Sequence, residues 1–184
     1  MKLFLSILLF SFFQYTSAQS VNEIQIFNRL IFQNSNNEIL VVKIKNTDFW
    51  VTPGLYQNSE QTMRQGLDSI AMTYGIKIKE LKLNGIFTLN RELNNKKSTS
   101  IRNIFTATYP GGKLKTPEII EKTKWVEIDE ALTIISFPHI NLMLDKVMKE
   151  DNKVWGGSLL QFRDNGSWKS KITEEFYELS VICK

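Results

Sequence analysis

Past residue 23 the hydrophobic positions first recur with a period of two. Ile24, Ile26, Leu30 and Phe32 alternate with Gln25, Phe27, Arg29 and Ile31, which is the spacing of a strand with at least one buried face. A polar stretch from Gln33 to Asn37 leads into Glu38–Lys45, and two apolar runs joined by an Asn- and Ser-rich turn predict a hairpin. Trp50-Val51-Thr52 forms a further short strand that stops at Pro53-Gly54. The period then changes. Ser59–Tyr74 reads as a helix, with Ser59 as N-cap, Glu60 in the first turn and Gly75 closing the end. Met63, Leu67, Ile70 and Tyr74 form its core stripe, and Gly66 marks a close packing contact.

Two more strand segments follow, Ile76–Thr88 and Ile101–Tyr109, with the polar stretch Asn90–Ser100 expected as a surface loop between them. Pro110-Gly111-Gly112 is a turn and Lys124–Ile128 a strand. Asp129 is the expected cap of a short helix holding Ala131, Leu132 and Ile135. Pro138 starts another helix through Lys149. In the tail, Val154–Phe162 and Ser167–Ile172 flank Asp164-Asn165-Gly166, a strong hairpin signal, and the aromatic segment Phe176–Leu179 follows. The pattern predicts an α/β (α+β) domain over residues 24–150 and a C-terminal aromatic hairpin extension, 151–184, packed on it.

The first residues have a different character. Lys2 precedes an apolar run, Leu3–Phe13, and Thr16-Ser17-Ala18 puts small residues at the −3 and −1 positions of a cleavage site. Residues 1–18 therefore read as a signal peptide of an exported, periplasmic or secreted protein. The run is short of the roughly 20 apolar residues a membrane span needs, so no span is expected after cleavage. Cys183 is the sole cysteine among 184 residues, which excludes an internal disulfide. A net charge of +4 is spread along the chain without a dense basic stripe, and this argues against a nucleic-acid surface. His139, the single histidine, excludes a histidine-rich zinc site. Placed just after Pro138, it reads as structural.

Gly54 is followed by five residues to Glu60, then by seven to Asp68-Ser69-Ile70-Ala71-Met72-Thr73-Tyr74-Gly75-Ile76. With Trp50 and Pro53 before it and Trp125–Leu132 after it, this spacing resembles the Nudix family from about Asn28 to Leu132. The resemblance implies a Nudix-like mixed β-sheet sandwiched between helices. It also implies a helix whose glutamates hold Mg²⁺ or Mn²⁺ against a diphosphate. At those positions this chain has Ser69, Met72 and Thr73, and Asp68 replaces the family's arginine. Hard cations want several carboxylate oxygens, for which a hydroxyl is a poor substitute, and a thioether is the wrong partner for magnesium.

No metal is therefore expected at the usual place, with Glu60 the residue to hold one if any does. Helical geometry turns Met72 away from the core stripe, so Gly54, Ser69, Met72, Thr73 and Trp155 are the expected lining of a substrate groove. Trp155 has an alternative role in packing the hairpin core. Glu60 with Glu121, a neighbour of Glu118, could rebuild a weak catalytic metal site, although surface charge explains all three. Three functions stay open. The first is a binding or scaffold protein without hydrolysis, taking a nucleotide-like molecule. The second is a hydrolase of nucleoside diphosphates linked to another moiety, using Mg²⁺ or Mn²⁺ on displaced acids. The third is an interaction module for an envelope protein.

Overall fold

The computed structural model describes residues 24–180. The proposed signal peptide and Cys183 lie outside the described residues. Among the described residues nine strands and three helices follow one another as β1 (Gln25–Gln33), β2 (Ile39–Ile44), β3 (Trp50–Val51), β4 (Gly54–Tyr56), α1 (Met63–Thr73), β5 (Lys79–Leu93), β6 (Lys96–Thr108), β7 (Ile120–Val126), α2 (Ile128–Ile134), α3 (Pro138–Lys149), β8 (Trp155–Asp164) and β9 (Ser167–Glu178).

The strands make one mixed sheet in the order β3-β2-β1-β6-β5-β8-β9, with β4 added to β1 and β7 to β2. The β1–β6 and β5–β8 pairs are parallel and the others antiparallel. Both faces are covered, because alternate residues of one strand enter different cores. Leu30, Phe32, Leu40 and Val42 pack with Leu67, Ile70 and Ala71 of α1. Ile31, Ile39 and Val41 point the other way, toward Ala131 of α2 and Ile140, Met143, Leu144 and Val147 of α3. The result is the predicted mixed sheet between helices.

Helix α1 begins later than the composition suggests. Thr62, not Ser59, is the N-cap: its side chain accepts from the Gln65 amide while the Gln65 side chain accepts from the Thr62 amide. This reciprocal capping box satisfies two otherwise orphaned donors, which Ser59 and Glu60 have no equivalent means of doing. Glu60 therefore sits in the preceding turn, outside the helix. Met63, now the first helical residue, is 45% exposed rather than core. The other end closes on Gly75 at φ +72°, with Gly75 N–H donating to Met72 O and Ile76 N–H to Ala71 O. That is a full Schellman motif, and Ile76 is buried beyond it.

Asn90–Ser100 is not a loop. β5 and β6 stay paired to Leu93 and Lys96, turning on Asn94 and Asn95, both at positive φ. Asparagine tolerates that conformation, so a polar, exposed ribbon replaces the expected loop. β7 starts at Ile120 rather than Lys124. Glu127 takes the N-cap position of α2 without a side-chain bond, leaving Asp129 in the first turn. The tail does not lie on a finished domain. β8 pairs with β5 from Trp155 to Phe162 and extends the central sheet, and β9 folds back on it around Asn165-Gly166. Among the described residues no helix is long and apolar enough to cross a membrane.

Candidate functional site, an arginine-lined cavity

The residues that carry the site continue the row facing α3. On β1, Arg29 shares a face with Ile31. On β6, Arg102 shares one with Ile104. Arg91 lies two positions past Leu89 on β5, and Gln161 two past Leu159 on β8. Pairing brings these strands side by side, with Phe27 opposite Arg102 and Arg91 opposite Gln161. At this end of the sheet the apolar row gives way to charge. A cavity of about 400 Å³ opens over it, closed by Tyr56 of β4, by Phe137, His139 and Ile140 around the start of α3, and by Trp168 of β9.

Arg29 and Arg102 are 4% and 5% exposed. Arg29 donates from Nη1 to the Thr52 carbonyl and hydroxyl at 2.9 and 2.6 Å. Arg102 donates from Nε to Ser100 Oγ at 3.1 Å and from Nη2 to the Tyr56 hydroxyl at 3.4 Å. Arg91 Nε donates to Gln161 Oε1 at 2.9 Å. The Phe27 ring lies 5.1 Å from the Arg29 guanidinium carbon and 4.8 Å from that of Arg102, so an aromatic face separates two like charges. No arginine of the three is ion-paired among the described residues. The arginine that meets a carboxylate there is Arg64, with Asp68.

The electrostatics follow from that imbalance. Burial, then the charge of Arg102, pushes Arg29 down to about 9, so it stays cationic at neutral pH. Burial also lowers Arg102, against the opposing pull of Tyr56. His139 is held well below its ordinary value by burial and by Arg29, Arg102 and Arg91, which keeps it neutral. Its Nδ1 is buried with no partner, and so is Trp168 Nε1. Such orphaned groups are uncommon in folded proteins and call for an explanation.

The expected site residues lie mostly elsewhere. Gly54 does line the cavity. A Cβ on it would stand 2.6 Å from the Phe27 ring and 2.8 Å from Asn28 O, so only glycine lets β4 approach β1 here. Met72 is 72% exposed on the solvent side of α1, on the opposite face of the sheet from the cavity. Thr73 donates its hydroxyl to Ile70 O, and Ser69 is half-buried on the same helix. Trp155 is packed rather than presented: its Nε1 donates to Glu150 O at 3.2 Å and the Lys146 ammonium sits 3.7 Å from its ring centroid. The expected groove around Met72 and Trp155 is thus not formed, because these residues sit on different layers. Gly66 does mark a close contact, since a Cβ there would meet Gln57 Oε1 at 3.2 Å.

A divalent cation fits poorly. Glu60 is exposed in its turn, with its amide bonded to Asn58, and Glu121 on β7 is engaged by Lys43 at 3.1 Å. Among the described residues no three His, Cys, Asp or Glu side chains converge to hold a metal. Sequence reasoning missed Arg29, Arg91, Arg102, His139 and Trp168. A charged residue interrupting an apolar alternation, as Arg29 and Arg102 do, was the one available signal.

No protein-family model matches the sequence, and no curated protein does. Solved structures match well. The mutator MutT protein from Bacillus halodurans aligns at 20% identity over 82% of this chain and 98% of its own, with a TM-score of 0.68. MutT from Methanosarcina mazei Go1 aligns at 20% identity over 72% and 99%, with a TM-score of 0.56. The dihydroneopterin triphosphate pyrophosphohydrolase of E. coli aligns at 11% identity over 68% and 95%, with a TM-score of 0.54. This chain has the Nudix fold, with a sheet and three helices arranged as in those proteins.

Proposed function

We propose that this chain is an exported ligand-binding protein on a Nudix fold, without metal-dependent diphosphate hydrolysis. One observation carries the reading: the box helix presents Ser69, an exposed Met72 and a Thr73 committed to its own backbone where carboxylates would be needed. A formed cavity on the other face of the sheet supports binding as the retained role. Export rests on the apolar run Leu3–Phe13 and the Thr16-Ser17-Ala18 site.

The test is an assay of the purified chain with Mg²⁺ or Mn²⁺ against a panel that includes Ap4A and dihydroneopterin triphosphate, the compounds in the names of structurally similar proteins. The reading predicts no turnover above buffer. Turnover that disappears in Glu60→Gln would overturn it and restore a hydrolase built on displaced acids.

A further inference from the structure

Three buried or half-buried guanidinium groups on neighbouring strands, with no carboxylate to neutralise them, are costly to assemble. A fold that needed only stability would place apolar residues there, as it does two positions along on β1, β5 and β6, at Ile31, Leu89 and Ile104. Among the described residues none of the three has an acidic partner. The same cavity is lined by aromatic rings, with Phe27 edge-on to Tyr56 at 4.9 Å and Phe137 5.8 Å from Trp168, and by His139, which is 4% exposed and held neutral.

We propose that the cavity is a metal-independent binding site for a small organic anion, a carboxylate or phosphate monoester carried on a flat ring. Arg29, Arg91 and Arg102 take the anionic group, and the aromatic walls, Tyr56, Phe137 and Trp168, take the ring. Guanidinium donors suit such oxygens because charge-assisted N–H···O bonds are short and strong and can be made in pairs. A volume of about 400 Å³ is enough for one ring with its anionic group. No bond is made or broken. The proposal specifies the ligand of the binding protein argued above, and it rests on that reading only for the absence of turnover.

Calorimetric titration of the chain in EDTA with phenyl phosphate, benzoate and inorganic phosphate tests it, and comparing the first two assigns the anionic group. Binding of at least one ring-bearing anion is expected, tighter than inorganic phosphate and unchanged when Mg²⁺ replaces EDTA. Arg102→Met should weaken that binding at least about tenfold, the equivalent of one lost hydrogen bond to a charged group. Trp168→Ala, which removes one aromatic wall, should reduce the preference for ring-bearing anions over inorganic phosphate while leaving phosphate binding unchanged. Lys97→Gln, exposed on β6 and away from the cavity, should change nothing. Thermal unfolding of each variant identifies any that fails to fold. If Arg102→Met is among them, Arg91→Gln on the exposed side of the row takes its place. Absence of binding by all three probes, binding equally tight in the arginine variant, or binding that requires Mg²⁺ would each overturn the site. Nucleotide turnover with intact anion binding in EDTA would instead overturn only the non-hydrolytic reading.

Discussion

Replacing Arg29 by methionine should make the ligand-free protein more stable while weakening its hold on anions. Arg29 is nearly fully buried and its titration is pushed down to about 9 by burial and by Arg102. At about 1.4 kcal/mol for each tenfold change in proton affinity, keeping it charged in the fold costs roughly 5 kcal/mol as an upper bound. The sign is definite, because a cation whose folded-state value lies below its unfolded one destabilises the fold wherever it is charged in both states, which includes neutral pH. Methionine has a similar length and no charge. Its substitution leaves the Thr52 carbonyl and hydroxyl without their donor, which returns about 1–3 kcal/mol. The expected net gain is about 2 kcal/mol, read as a rise in the urea midpoint at pH 7 with an unchanged slope. Added phosphate should stabilise the natural chain more than the variant. A fall in the midpoint of the variant in anion-free buffer would refute the reasoning, since it would mean that the arginine stabilises the empty fold.

His139 should make stability depend on pH below its ordinary range. It is held neutral in the fold, so the unfolded chain takes up its proton first. Stability then falls by up to about 1.4 kcal/mol per pH unit as the pH drops below about 6.5. His139→Phe should lose this component, and parallel urea midpoints for the two proteins between pH 7.5 and 5.5 would contradict it. Gly75→Ala should cost about 1–2 kcal/mol, because φ +72° is a left-handed conformation and a Cβ would stand 3.3 Å from Lys115 Cβ. Thermal denaturation measures it, and an unchanged midpoint would show that the Schellman cap is dispensable.

The fold was largely legible because its signals are local. Period-two alternation placed β1 and β2, Gly75-Ile76 marked the end of α1, and Asn165-Gly166 marked the last hairpin. Where local signals competed, the reading slipped. Thr62 outcompeted Ser59 as a cap because Gln65 was in reach to complete the box. Asn94 and Asn95 turned an apparent loop into a ribbon because they accept positive φ. The site was much less legible. Gly54 lines the arginine cavity, whereas Met72 lies on the opposite face of the sheet from it.

What the sequence alone determined is chemical. The box positions on α1 hold an alcohol, a thioether and another alcohol, and none of the three brings the carboxylate oxygens that a hard cation draws on. Which residues converge was decided only by tertiary structure. Arg29, Arg91, Arg102 and Gln161 lie on four strands, of which only β5 and β6 are joined by a tight turn. Alternation says which face a side chain takes within its own strand. It does not say which strand lies alongside or in what register, because that is set by non-local pairing, here the parallel β1–β6 and β5–β8 ladders that assemble the arginine row.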